Sequence, residues 1–356
     1  MNKERQNKNI IKEMGSAFYT SEPLFDLIIE KIFLNAWHPI GNVEQFLGNG
    51  YSPAIILDTV RPIPIIVSSH NTNLDELFIL SNSCTHRGHI ITDSCTQSKQ
   101  LRCPYHGRKF NHLGKALSAP GFKNNIDFPS DNDHLEKLKN QQFSGLLFAS
   151  ISNTYSIFFK TIQALCSWYP LEKLSFNKAL SRQYDIQCHW SLYVENYLEG
   201  LHVPFIHHGL SSAIDLSTYK TEVDSNSIVQ YARSSNSSNT FSSLDGVPNN
   251  LKGCYGMYIY MFPNLMINLY SWGVSYNYVV PISPNKTIIK YFVLSFEKGL
   301  ELDKEDSIEK VELEDQQAIT KVDKGVRSPL YRHGQLSYND EQGVIAFRKL
   351  LEKSIK

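Results

Sequence analysis

Two short turns carry residue types able to hold a redox metal. Cys84-Thr-His86-Arg-Gly88 offers one thiolate and one imidazole; after sixteen residues intervening from His86, Cys103-Pro-Tyr-His106-Gly107 offers one more of each. Two thiolates and two imidazoles suit a single [2Fe-2S] cluster, with Cys84 and Cys103 on one iron and His86 and His106 on the other. Neutral imidazole in place of thiolate leaves such a cluster less negative and raises its potential. Gly88, Pro104 and Gly107 fit backbones that bend tightly around inorganic sulfide. A structural Cys2His2 zinc site is the alternative, but it keeps its cysteines in one pair and its histidines in another. Here they interleave, which favours the cluster.

A second constellation follows in Glu195-Asn-Tyr-Leu-Glu199-Gly-Leu-His202-Val-Pro-Phe-Ile-His207. On a helix over 191–202, Glu195, Glu199 and His202 stand at i, i+4 and i+7 and share one face. His207 lies too far around to point the same way, and Pro204 is read as the break that swings it back. Two imidazoles and one carboxylate form the facial triad that binds Fe(II) and leaves positions open for dioxygen. Two histidines five apart are also common in ordinary cores. Beside a one-electron donor, however, an oxygen-activating iron is its functional complement.

The elements that must position these groups alternate in texture. Residues 1–36 carry a helical stripe of Leu24, Leu27, Ile28, Ile32 and Phe33. Over 37–150, short β-branched runs alternate with Gly, Pro, Asn and Asp turns, an antiparallel all-β pattern with the two ligand turns at its tip. From 151 onward, short helices at 156–165 and 170–174 precede strands at 183–188, 227–233, 255–262, 265–271, 275–281 and 287–296. Between two of them, residues 234–251 hold six serines and four asparagines and read as a loop or lid. A charged helix over 304–324 and a last one over 340–353 close an α+β layout. The expected domains are 1–36, a helical segment packing on the catalytic domain, then 37–150 and 151–356. Along the charged helix, Glu312 and Glu314 read as a solvated acidic face.

Composition narrows the class. The 356 residues balance 35 Lys and Arg against 35 Asp and Glu, which gives no footprint for nucleic acid or an acidic membrane. The charged start lacks the apolar run of a secretory signal, and no stretch reaches the ~20 apolar residues of a membrane span. Cys95, Cys166, Cys188 and Cys254 are scattered without a disulfide framework, so a reducing cytoplasm is expected.

The two ligand turns resemble the Rieske domain of the ring-hydroxylating oxygenases, and the 195–207 stretch is similar to the mononuclear-iron motif of their large subunits. Respiratory Rieske proteins add cysteines that would fall at His89 and Tyr105. Arg108 departs from the oxygenase pattern, in which a tryptophan commonly follows Gly107. The resemblance implies an N-terminal all-β Rieske domain and a catalytic domain with an antiparallel sheet and a long C-terminal helix (helix-grip, START-like). It implies that His202 and His207 bind iron, with a third ligand from that helix. Asp315 aligns, because Glu-Asp is followed ten residues later by Gly325; Glu314 and Asp323 remain competitors. Glu199 falls on the acidic residue linking the iron to a cluster histidine, His106, of a neighbouring subunit. Also implied are dioxygen, a separate NAD(P)H-dependent flavin and iron-sulfur reductase, and a homotrimer. Glu199 and the Phe262-Pro-Asn-Leu run resemble the choline, betaine and carnitine branch. Its quaternary ammonium substrates would suit the tyrosines of 255–278 through cation–π attraction, although tyrosine is also an ordinary strand residue. Aromatic-ring hydroxylation, O-demethylation and electron transfer without oxygenation remain alternatives.

Overall fold

The computed structural model describes residues 14–57, 61–152, 156–236, 239–297, 300 and 308–355. The chain divides into two compact units, Leu34–Tyr155 on one side and Met1–Phe33 with Ser156–Lys356 on the other.

In the first unit, β1 (His38–Asn42), β2 (Gly50–Ile56), β3 (Ile63–Ser69), β4 (Phe78–Ser81), β8 (Lys137–Phe143) and β9 (Leu146–Ser150) form an antiparallel sheet ordered β1-β9-β8-β4-β3-β2. A small sheet pairs β5 (Leu101–Arg102), β6 (Lys109–Phe110) and β7 (Ala116–Ser118). The Cys84 turn follows β4, and the Cys103 turn is the connection between β5 and β6. Tyr51, Ile66, Leu80, Leu101, Phe110 and Leu135 pack into one apolar cluster that includes both cysteines. Burial of each large side chain contributes roughly 1.5–3 kcal/mol, so the turns stand on a stiff base.

The second unit centres on eight strands: β10 (Ser175–Phe176), β11 (Arg182–Ile186), β12 (Ile214–Val223), β13 (Ser227–Ser234), β14 (Cys254–Met261), β15 (Leu265–Tyr270), β16 (Gly273–Ser283) and β17 (Lys286–Ser295). They run antiparallel in the order β10-β17-β16-β15-β14-β13-β12, with β11 also on β17. All of β15 is buried, consistent with its Leu-Met-Ile-Asn-Leu-Tyr sequence. The edge strand β12 had no counterpart in the sequence reading. Its polar Asp-Leu-Ser-Thr-Tyr-Lys-Thr-Glu run shows no clean alternation, and its pairing shifts between Asp215 and Lys220.

Helices complete this unit: α1 (Ser16–Thr20), α2 (Glu22–Lys31), α3 (Ser156–Leu165), α4 (Trp190–Tyr197), α5 (Val203–Ile206), α6 (His208–Ala213), α7 (Ile308–Val326) and α8 (Gln342–Ser354). Ser21 accepts a hydrogen bond from the Leu24 amide and starts α2, whose Leu24, Phe25, Ile28 and Ile29 are buried. Ring edges of Phe18 and Tyr19 meet buried His189, just ahead of α4. Asp323 of α7 accepts from the His189 amide at 2.8 Å and from Arg327, which ties α7 to the start of α4. The expected starts at residue 1 of the first stripe and 304 of the charged helix lie outside the described residues. In the polar 234–251 segment, Thr240 and Phe241 are buried, and Phe241 meets Trp168 edge-on at 5.0 Å. Among the described residues no helix is long and apolar enough to cross a membrane.

Candidate metal centres

The two ligand turns have the same backbone despite unequal spacing. Each cysteine amide donates to the carbonyl five residues on, Cys84 to His89 and Cys103 to Arg108. The glycine amide of each turn, from Gly88 or Gly107, donates back to its cysteine carbonyl. Both glycines have positive φ, +72° and +74°, a conformation other residues adopt only with strain. Cys84 and Cys103 are buried, whereas His86 and His106 are exposed with ring centroids 4.8 Å apart. Burial and the neighbouring Cys103 push the Cys84 thiol up, a cost that binding to a metal would offset. The arrangement fits a [2Fe-2S] cluster: an inner thiolate pair, an outer imidazole pair, and no disulfide between the sulfurs.

Beside the turns lies a group the ligand pattern did not flag. Arg108 is 3% exposed, and its Nη1 donates to Asp133 Oδ1 at 2.8 Å and to the Thr85 hydroxyl at 3.0 Å. The guanidinium sits 5.1 Å from the Phe122 ring centroid and 5.0 Å from that of Phe128. Only the replaced tryptophan hinted at it.

In the second unit, α4 ends at Tyr197 rather than at 202. The break therefore precedes Pro204, which opens the short α5 instead of interrupting a longer helix. Just past the end of α4, Gly200 admits the Tyr219 ring, since a Cβ there would lie 2.9 Å from it. Glu195 consequently does not share a face with Glu199 and His202; it forms a bidentate pair with Arg348 at 2.8 and 2.9 Å.

His202, His207 and Asp315 come together, with one donor atom from each lying within 4.8 Å of the others. Asp315 Oδ1 stands 2.9 Å from His207 Nε2, 3.6 Å from His202 Nε2, and accepts from Asn196 Nδ2 at 2.7 Å. The other ring nitrogens meet carboxylates: His202 Nδ1 lies 2.5 Å from Glu199 Oε1, and His207 Nδ1 lies 2.8 Å from Glu314 Oε2. Metal-binding histidines are oriented in this way, with the free nitrogen held by a carboxylate. Burial lowers the His207 pKa, but hydrogen bonds and charge from Asp315 and Glu314 outweigh it and hold the group above its ordinary value. A cation between these groups would replace that proton, so the donor set fits a divalent iron. Asp323 is 5% exposed and committed to Arg327 and His189, and so does not join them.

The reading of Glu312 and Glu314 as a solvated face is not upheld. Glu314 holds His207, and Glu312 is only 6% exposed. Both line a cavity of about 890 Å³ together with His202, His207 and Asp315. Helical periodicity identified the face; it did not show that the face looks into a cavity.

Comparison with known proteins identifies the family. The Rieske [2Fe-2S] domain family matches residues 36–139. The family described as "Ring hydroxylating alpha subunit (catalytic domain)" matches residues 175–356, just over half of the chain. The chain belongs to that family. This alpha subunit is a Rieske-type oxygenase, an oxidoreductase with a [2Fe-2S] cluster and a mononuclear iron. It is 24% identical over 361 residues to the chloroplastic choline monooxygenase of Beta vulgaris, covering 96% of this chain and 76% of the relative. It is 22% identical over 364 residues to the carnitine monooxygenase oxygenase subunit of Escherichia coli K12, covering 95% and 92%. A quaternary ammonium Rieske monooxygenase solved in complex with L-carnitine superposes with a TM-score of 0.72 at 21% identity, covering 96% and 95%. Naphthalene 1,2-dioxygenase from a Rhodococcus species gives 0.65 at 14%, covering 99% and 96%.

Proposed function

We propose that this alpha subunit is the terminal oxygenase for a small quaternary ammonium compound and oxidises a carbon next to the positive nitrogen. The cavity carries the reading. Among the described residues four carboxylates line it (Glu199, Glu312, Glu314 and Asp315), against one lysine, Lys310. A divalent iron leaves that balance negative, which attracts a cation and repels an aromatic acid. Tyr255 and Tyr258 stand 6.3 and 6.0 Å from Tyr270, which stacks on Trp272 at 5.0 Å. Such faces hold trimethylammonium groups through cation–π attraction. The choline and carnitine relatives point the same way.

In this reading Cys84, His86, Cys103 and His106 hold the cluster, and His202, His207 and Asp315 hold the iron. When bound, the two centres supply single electrons and dioxygen activation. One oxygen atom enters a C–H bond and the other leaves as water, consuming two electrons and two protons; the electrons come from NAD(P)H through a separate reductase. Hydroxylation at an N-methyl carbon would end in demethylation. Glu199 and Glu314 fix the imidazole orientations, and Asn196 fixes Asp315. In a homotrimer Glu199 also serves as the contact toward a neighbouring subunit's His106. An electron carrier would need neither the triad nor the cavity.

The test is single turnover of fully reduced protein in air, with products read by mass spectrometry. Choline, L-carnitine or glycine betaine should be oxidised, while benzoate and naphthalene remain intact. Oxidation of the aromatic compounds alone would overturn the substrate reading.

A further inference from the structure

Three of the four cavity carboxylates have a partner in the metal site: Glu199 on His202, Glu314 on His207, and Asp315 on both. Glu312 does not. Its Oε2 accepts from the Tyr193 hydroxyl at 2.7 Å and from Asn277 Nδ2 at 3.2 Å, and its Oε1 accepts from Gln316 Nε2 at 2.9 Å. All three donors are neutral, and among the described residues no lysine, arginine or histidine pairs with it.

A fixed, buried carboxylate without a cation is costly unless it takes up a proton or a ligand supplies the positive charge. We infer that Glu312 is the counter-charge of the substrate, the group that selects a permanently cationic nitrogen over an uncharged group of the same shape. This inference rests on the ammonium reading above and deepens it.

Supporting it, burial, with a smaller push from the Asp315 charge, raises the Glu312 carboxyl to about 7 against the hydrogen bonds from Gln316, Tyr193 and Asn277. Its protein neighbours alone therefore stabilise the ionised form poorly. The position also has a consequence for regiochemistry. Glu312 and Asp315 stand at i and i+3 on α7, where Cβ atoms lie roughly 5–6 Å apart on one face. A nitrogen held at Glu312 brings its own methyl and methylene carbons toward the iron side of the cavity, and leaves the far end of the substrate away from it. The rigid donors matter here: Asn277 Nδ2 bonds both Glu312 and the Tyr193 hydroxyl, so the carboxylate cannot swing to follow a misplaced ligand.

The experiment is titration calorimetry on the iron-loaded full chain. Choline, L-carnitine and the uncharged choline isostere 3,3-dimethylbutan-1-ol are compared in the parent, Glu312→Gln and Glu312→Asp. The parent should prefer a cation over the isostere by roughly tenfold or more. Glu312→Gln should lose that preference while binding the isostere as before, which also reports that the cavity is intact. Glu312→Asp, which keeps the charge, should retain most of the preference. A parent that prefers the cation together with a Glu312→Gln that keeps the full preference would overturn the role of Glu312 and leave the ammonium reading standing. A parent with no preference for either cation would overturn both.

Discussion

Arg108 in the Rieske unit and Glu312 in the catalytic unit are both ionisable and both nearly inaccessible, at 3% and 6% exposure. Arg108 is neutralised where it stands, by Asp133 at 2.8 Å, and is flanked by two phenyl rings. Glu312 has only neutral donors. A buried charge that the fold neutralises is part of the fold, and one that it leaves bare is held for something that arrives later. The two units illustrate the two cases within one chain, and the comparison can be broken in several places.

The largest effect is expected in the first unit. Asp133→Asn strands the Arg108 guanidinium and should destabilise the Rieske unit by about 3 kcal/mol, below the upper range for buried pairs because Asp133 is partly exposed. Thermal melting and the yield of intact cluster would register it. Burial opposes ionisation of Asp133, but hydrogen bonds from the Ser130 amide and hydroxyl and from Arg108 hold its carboxyl below the usual range. Its stabilising contribution is therefore present above the ordinary aspartate pKa and is lost as pH falls through the lowered value. Unchanged melting in Asp133→Asn would mean that the pair is ornamental.

In the second unit the sign reverses. The folded Glu312 pKa is raised from 4.5 to about 7, so its favourable contribution is complete below about 4.5 and lost as pH rises through about 7. Ligand-free Glu312→Gln should then be more stable than the parent at pH 8 by on the order of 2 kcal/mol, read as a higher melting temperature, with the gap closing at pH 5. Gln316 can turn its amide to accept from the new one, so the network survives. The titratable groups facing Glu312 do not share this window. Tyr193 and Tyr291 are pushed well up by burial, Tyr184 and Cys188 up to about 12, and Asp315 belongs to the metal site. Equal melting of the two proteins at pH 8 would show that Glu312 is already compensated.

The smallest expected change is at a carboxylate that already has its partner. Glu314→Gln replaces the charged acceptor on His207 Nδ1 with a neutral amide oxygen and should weaken iron binding about tenfold without moving cation selectivity. A shift in selectivity would erase the distinction between the two glutamates.

These regions also differ in how far the sequence reveals them. The cluster turns are local: four ligands fall within 23 consecutive positions, and each turn is closed by its own glycine, so type and spacing suffice. The iron triad joins residues more than a hundred positions apart. His202 and His207 showed in their spacing, but Asp315 stood out among its acidic neighbours only through family resemblance. The helix break falls to Pro204 in the sequence because proline is the visible signal; the chain leaves the helix earlier, at Tyr197, and Gly200 just beyond admits the ring of Tyr219, a contact made by β12. Glu312 was misread for the same reason. An amphipathic pattern tells which residues share a face, whereas the strands across the cavity decide whether that face is wet.

The most direct measurement of the two-centre arrangement is iron and acid-labile sulfide per chain in the parent and in Asp315→Ala, with the cluster followed by electron paramagnetic resonance. The parent should hold about three irons and two sulfides, and Asp315→Ala about two irons with the sulfide and the cluster signal unchanged. A variant that keeps three irons, or loses the cluster along with the third, would contradict an iron site built from His202, His207 and Asp315 independently of the Cys84–His106 turns.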